Sequence, residues 1–384
     1  MGFSAFFPSR EIKQNRPAVR NFALNVFAPV LVDAGSFVAD ITDAARATWR
    51  RSIRARRGPW LGTFRMYSDE NILQKYFNEW LAYHVEERYQ TKTWEGLIWE
   101  MELTHRGVTR RRSLDTVANA VKALYSDTSD TIQESAWATQ AQSLGLYGRM
   151  EEILIMDNYP QATAEGRRDK VLAERAWPIA SPVGGRKTSE SYLDVSVAGY
   201  IFTTNNKYVT SADGSTGNVD VWVSGIAGTD LEFLTIGKIE VNTFQVKRSL
   251  STPQRAGDTL FELADLGDNT QTPWRCYADL DRLIHYTALS KTPVYFLREG
   301  QFYTDAGMHQ SISPWDMRPE VARDMDYPVR GPEQGSWLDD VRDLLIEEVT
   351  ASEGGVSWST EQFSEADLLA AQQDYAESIK EMRL

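Results

Sequence analysis

The groups able to do chemistry are sparse and scattered. His84, His105, His285 and His309 are the four histidines, and none stands in an HExxH pattern, the spacing that puts two imidazoles on one helix face around zinc. Tyr83-His84-Val85-Glu86-Glu87 sets His84 and Glu87 on one face of a helix, which is two ligands and not a metal site. Cys276 follows Trp274-Arg275 in a strand pattern, and a nucleophilic role would need a base, for which His285 is the available partner. Glu100/Glu102 and Asp339/Asp340 are paired carboxylates. The first pair alternates toward solvent on a strand, and the second opens a helix, where acidic groups suit the dipole. Asp265-Leu266-Gly267-Asp268-Asn269 lacks the full calcium-loop spacing and reads as a helix C-terminal turn. There is no GxSxG elbow, Walker loop or GxGxxG after a strand. The expectation is therefore a chain without catalytic, cofactor-binding or metal-binding residues, without a cofactor and not an enzyme. One rival is a carbohydrate-active enzyme or glycan-binding module. It would use Glu100, Glu102, Asp279 and Asp281, and a hydrolase would need two such acids about 5–9 Å apart across a cleft.

Arginine offers more. Arg46, Arg50, Arg51, Arg54, Arg56 and Arg57 crowd one segment, and Arg110-Arg111-Arg112 follows a strand and a turn. The first 65 residues hold eleven Lys/Arg and four Asp/Glu, whereas Trp315 onward holds six Lys/Arg and seventeen Asp/Glu. A basic front and an acidic back can be two solvated faces, or can meet complementary surfaces on neighbouring subunits or each other. Trp49 and Trp60 are the only aromatics interleaved with the front arginines, too few for base stacking along a strand. Arg50, Arg51, Arg54, Arg56, Arg57, Arg110, Arg111 and Arg112 are thus candidate protein-contact residues, with no direct nucleic-acid binding expected. Leu368, Tyr375 and Ile379 join them from the apolar stripe of a C-terminal helix.

The elements that must position these groups follow from periodicity. A helix is predicted over 36–57, with Val38, Ile41, Ala45, Trp49 and Ile53 at helical spacing and Gly58-Pro59 as the stop. A strand follows at 61–67. A helix opening at Ser68-Asp69-Glu70 carries Ile72, Leu73, Tyr76, Phe77, Trp80, Leu81 and His84 on its apolar face. A half-buried strand runs over 93–104, with a turn at His105-Arg106-Gly107. Residues 114–125 fit a strand or a helix, and 161–175 fit a helix. Beyond a Gly/Ser/Pro-rich stretch (180–190), strands are predicted over 193–204, 218–227 and 237–248, a helix over 252–268, and strand pairs over 272–289 and 293–304 with a hairpin at Arg298–Gln301. A proline-rich loop spans 313–332. Two helices close the chain, one from Ser336 with Trp337, Val341, Leu344, Leu345 and Val349, the other from Ser364 with Leu368, Ala371, Tyr375, Ile379 and Met382.

Composition bounds the class. The 384 residues are 42% hydrophobic and 25% charged with net charge −13, a globular balance for two or three domains and a poor one for coating nucleic acid. One cysteine excludes an internal disulfide and a cysteine-clustered metal site. The apolar stretch 22–32 is roughly half the ~20 residues of a spanning helix, and Asn21 and Asn25 break it as a signal peptide, so no membrane anchor is expected. Four units are expected: a basic helical segment (1–60), two domains (61–182 and 190–335) and acidic helices (336–384).

Residues 93–127 and 134–178, with the Ser143…Tyr147-Gly148 step, then Ala162, Ala164, Leu172 and Pro178, resemble tail-tip or baseplate hub proteins of long-tailed bacteriophages. Residues 193–204, 237–246, 253–263 and 272–286 resemble the second half of such proteins. The resemblance covers roughly 60–330. It implies an α+β chain of two tube-like antiparallel β-barrel domains with interspersed helices and a C-terminal helical segment. It also implies a homotrimeric hub ring joining the tail tube or distal tail ring to a spike or fibre, in a virion assembled in the host cytoplasm. A distal tail ring or fibre adaptor protein is the neighbouring possibility. Twelve tryptophans and sixteen tyrosines suit a chain with large contact faces.

Overall fold

A computed structural model describes residues 22–29, 35–89, 91–126, 132–185, 190–210, 221–223, 238–239, 255–266, 274–280, 284–289, 292–312, 317–325, 329–330, 337–338, 343–352 and 355–360. Along the chain these form β1 (Phe22–Phe27), β2 (Phe37–Asp40), α1 (Thr42–Ala45), β3 (Arg50–Arg54), β4 (Gly58–Tyr67), α2 (Glu70–Glu79), β5 (His84–Tyr89), β6 (Thr91–His105) and β7 (Val108–Ser113). Next come β8 (Ala120–Ser126), β9 (Ile132–Glu134), β10 (Ala138–Thr139), α3 (Ala141–Tyr147), β11 (Glu151–Met156), α4 (Gln161–Arg175), β12 (Ser181–Gly185) and β13 (Tyr192–Gly199). The remainder is β14 (Val209–Thr210), β15 (Val221–Val223), β16 (Lys238–Ile239), α5 (Ala256–Leu266), β17 (Trp274–Ala278), β18 (Ile284–Ala288), β19 (Tyr295–Arg298), β20 (Gln301–Tyr303), β21 (Val321–Asp324), β22 (Val329–Arg330), β23 (Trp337–Leu338), β24 (Asp343–Ser352) and β25 (Gly355–Thr360). The chain is mixed α/β and rich in strand.

Fourteen strands share one sheet, in the order β2-β1-β5-β6-β13-β4-β3-β24-β21-β19-β20, with β7 and β12 continuing beside β6 and β25 beside β24. The order is an open path among the described residues. The sheet is nonetheless strongly curled. Strands β5 and β3 lie four steps apart, which in a flat sheet is about 19 Å at the usual spacing of about 4.8 Å. Yet Arg51 of β3 forms an ion pair with Glu87 of β5, and Trp94 Nε1 of β6 donates to the Ser52 carbonyl of β3 at 3.3 Å. The curl encloses the largest core, in which Leu24, Val26, Trp49, Phe64, Leu73, Phe77, Trp80, Trp94, Ile98, Met101 and Val195 pack. Gly96 permits this packing: a Cβ there would stand 2.6 Å from both the Ala198 carbonyl oxygen and the Trp94 ring.

The front of the chain corrects its own periodicity. The helix expected over 36–57 is β2, a single helical turn and β3. Strand β3 has a partner on each side, β4 (Arg50↔Thr63) and β24 (Ile53↔Val349), and two complete ladders outweigh a weak local preference. The same pairing overturns the helix expected from Ser336: its Leu344, Leu345 and Val349 lie in β24, where Val349 is buried beside Ile346 and Ala351. The strand over 193–204 is β13 followed by a 3₁₀ stretch, Tyr200–Asn206, and the loop over 313–332 contains β21 and β22. The predicted helices at 161–175 and 252–268 are α4 and α5. Segment 114–125 opens with a 3₁₀ turn, Leu114–Thr116, and continues as strand β8 from Ala120. The hairpin at 298–301 forms with Glu299 at φ 50° and Gly300 at φ 73°, the left-handed pair that two-residue hairpins favour. The strands expected over 218–227 and 237–248 are described only at β15 and β16, and the helix from Ser364 lies outside the described residues.

Pairing crosses the expected 182/190 boundary: β13 is bonded between β4 and β6, and β12 lies beside β7. Residues 120–175 form a smaller unit in which β8 and β11 run parallel and Ala123, Tyr125, Leu154 and Met156 pack with Ala164 of α4. A third core gathers Tyr295, Leu297, Phe302, Met317, Ala322, Ile346 and Val349. Replacing Trp94 by Ala should cost about 3–5 kcal/mol in urea unfolding, the usual range for a large buried aromatic. Replacing Trp99, which is half-buried with its Nε1 on Asp115 at 2.7 Å, should cost less than half as much. Equal losses would mean that the face assignment of β6 is wrong.

Candidate functional site

The front arginines lie where β3 and the turn after it meet the back of the chain, and most have their charge met there. Arg51 is 3% exposed and its partner Glu87 0%. Burial pushes the Glu87 carboxyl up, while the Arg51 guanidinium and Trp49 pull it down. Arg54 Nε meets Glu348 at 3.2 Å, and its guanidinium lies 4.4 Å from the Trp60 ring centre. Arg57 Nη2 meets Asp265 at 2.9 Å and covers the Phe261 ring at 4.1 Å. Arg56 reaches Asp265 at 3.7 Å and Glu347 at 4.0 Å. Arg50 is exposed at the start of β3. Arg51 is thus a core residue, and the basic front and acidic back meet each other at Arg54–Glu348 and Arg56–Glu347.

The triple arginine clasps α2 to the sheet. Arg112 Nη1 donates to the carbonyls of Phe77 at 2.8 Å and Asn78 at 2.7 Å, the C-terminal end of α2, where a cation suits the helix dipole. Arg110 donates to Gln74 and lies over Phe77, and Arg111 pairs with Glu100. Leu368, Tyr375 and Ile379 lie outside the described residues.

The histidine and cysteine readings change with the strands. His84 and Glu87 sit on β5, not on a helix, and three residues apart on a strand they point to opposite faces. Glu87 reaches Arg51. His84 Nδ1 meets the Tyr200 hydroxyl, which donates to Glu95 Oε1 at 3.1 Å, and Lys92 Nζ donates to Glu95 Oε2 at 2.5 Å. His84, Glu95 and Tyr200 are all buried, so this chain of polar groups holds β5, β6 and the 3₁₀ stretch together from inside. Period-two alternation gives no warning of it, since Glu87 and Glu95 read as solvent positions. Cys276 is fully buried and its thiol is pushed up to about 12 by burial, against a smaller pull from Arg57. The register sets His285 opposite Tyr277, not opposite Cys276. Among the described residues, no three His, Cys, Asp or Glu side chains gather to hold a metal ion, and no helix is long and apolar enough to cross a membrane.

A cleft of about 400 Å³ opens at this seam, between residues 53–59, Thr93, residues 275–280 and residues 318–320. Its walls are fixed by backbone bonds: Cys276 N to the Arg56 carbonyl at 3.0 Å, Ala55 N to the Glu347 carbonyl at 2.7 Å, and Ile346 N to the Glu320 carbonyl at 3.1 Å. Lys92 Nζ adds a bond to the Leu280 carbonyl at 2.7 Å. Gly58, at φ 71°, lets the walls close: a Cβ there would stand 2.8 Å from Tyr277 Cβ. Arg54, Arg275 and Arg318 line this space together with Asp279 and Glu320. Burial pushes the Glu320 carboxyl up, and Arg275 and Arg318 draw it back. Sequence reading singled out Arg54 and Asp279 but not Arg275, Arg318 or Glu320, which come from distant segments with no shared spacing. Asp281 lies outside the described residues, and Glu100 is committed to Arg111.

Arg51→Met should cost about 3–5 kcal/mol in urea unfolding, because it leaves Glu87 buried and uncompensated. Adding Glu87→Leu should recover most of that loss, and a double variant no better than the single would show that the pair is not the source. Cys276 should stay unlabelled by a thiol reagent at pH 8 in the native state and label fully in denaturant; native labelling at the unfolded rate would place β17 wrongly. These geometries carry the functional reading, since no protein-family model matches the sequence and no curated protein matches it.

Proposed function

We propose that this chain is a structural subunit of a bacteriophage tail tip, three copies closing into a central hub ring between the tail tube or distal tail ring and a spike or fibre. The observation that carries the reading is the exposed apolar side chains on two of the large sheet's one-sided strands, β2 and β25. Strand β2 pairs with β1 alone among the described residues and leaves Phe37 60% and Val38 40% exposed. Strand β25 pairs with β24 alone among them and leaves Trp358 40% exposed. Apolar edges left unpaired among the described residues are an aggregation hazard in a monomer, whereas a ring subunit needs two unlike faces that meet head to tail.

Other features agree with this reading. Arg51, Arg54, Arg56 and Arg57 are engaged with carboxylates of the chain itself, as suits a scaffold. The curled path β1-β5-β6-β13-β4-β3 around one core has the curvature of a tube wall, and two barrel-like halves belong to the proposal as its finer form. Partners are other copies of the chain and tail proteins, with no nucleic acid or membrane, in an assembled virion.

Light scattering on a size-exclusion column tests the ring. A mass three times the 43.5 kDa chain is expected, and Phe37→Asp with Val38→Lys should return it to monomer while leaving the circular dichroism spectrum unchanged. Six copies would favour a distal tail ring instead. A wild-type monomer at every concentration reached would overturn the ring.

A further inference from the structure

We propose that the cleft between residues 53–59, 275–280 and 318–320 binds a saccharide carrying a carboxylate. The proposal stands whether or not the chain closes into a ring.

The space, about 400 Å³, lies within the range of small-ligand sites and is that of a sugar residue or two. Its charges are mixed in a way that selects the ligand. Arg318 is exposed at the rim, and its guanidinium makes no hydrogen bond or ion pair with any described residue. A guanidinium presents a planar fork that matches a carboxylate with two parallel hydrogen bonds. Arg275 lines the same space, its guanidinium 4.5 Å from the centre of the Tyr277 ring.

Asp279 and Glu320 line the cleft with them. Carboxylates only accept hydrogen bonds when ionised, so Glu320 offers its lone pairs to donors on the ligand, and the two acids together repel a compact inorganic anion. A ligand with one anionic group and several hydroxyls satisfies both demands. A neutral sugar leaves Arg318 without its partner, and phosphate offers no hydroxyl array and carries more charge past two acids. Leu280, Pro59 and Pro319 supply the apolar wall against which the C–H face of a sugar ring packs.

The cleft is also preformed. Its walls come from segments distant in sequence, tied by the backbone bonds at Arg56, Glu347 and Glu320, and Gly58 closes it to Tyr277. A preformed site spends little of its binding free energy on ordering.

Calorimetric titration of the full chain with glucuronate, galacturonate and N-acetylneuraminate, each alone, tests the proposal, with galactose and inorganic phosphate as controls. At least one sugar acid should bind in a one-to-one ratio, and neither control should. Arg318→Ala should weaken that binding about tenfold or more, the loss of a bidentate charged contact, and Arg318→Lys should restore part of it. Because Arg318 is exposed, both variants should melt with the wild-type protein, which separates lost binding from lost folding. The proposal falls if no sugar acid binds, if phosphate binds as well as the acids do, or if Arg318→Ala binds unchanged.

Discussion

A guanidinium taken out of water must have its charge met inside the chain, and much of this fold is arranged to meet that of Arg51. Two ions at this depth attract strongly, but each has lost its hydration, so the pair survives only where the surrounding structure holds both groups in place. Here Arg51 and Glu87 belong to strands four steps apart in one sheet. Their contact requires the sheet to curl, and the curl in turn creates the enclosed core in which Trp49 and Trp94 pack at a ring separation of 5.4 Å. Curvature, core and ion pair are one constraint. A flat version of the same strand order would leave Arg51 and Glu87 apart and the tryptophans in water.

The second consequence concerns how the two ends of the chain are joined. Strand β3 carries the basic front into the sheet and β24 carries the acidic back, and they are neighbours. Arg54–Glu348 and Arg56–Glu347 are side-chain echoes of that ladder. Exposed pairs of this kind contribute little each, so they do not hold the seam by themselves. Their effect is on choice of partner: a front of like charge would oppose the pairing of β3 with β24, and opposite charge favours it in this register.

Strong local signals were legible and pairing was not. Helix α4 shows in its composition and its flanking prolines, and the 298–301 hairpin shows in Glu299-Gly300. Strand β6 shows in its alternation. Strand β3 and β24 do not, because Val38, Ile41, Ala45, Trp49 and Ile53, and likewise Leu344, Leu345 and Val349, happen to fall at helical spacing. What makes both segments strands is that each completes the other's ladder across some 300 residues of chain, and no window of local sequence contains that fact. The same reason hid the buried chain from His84 through Tyr200 to Lys92. Polar residues on alternating positions normally face water, and here a second layer of protein stands where the water would be. In the cleft, Arg54 and Asp279 stood out as charges, yet the three segments that assemble it carry no common motif.

Position in the fold gives the cleft a further property. Its walls are the turn after β3, the end of β17 and the segment before β21, so a molecule within it touches the front and the back of the chain at once. Separation of β3 from β24 would dismantle those walls. Any ligand that binds the closed arrangement and not the opened one therefore stabilises the seam, by RT ln(1 + [L]/Kd), although it touches neither Arg51 nor Glu87. The edges β2 and β25 belong to the same curled sheet as that seam. Strand β25 pairs with β24 itself, so the seam and one of those edges share a strand.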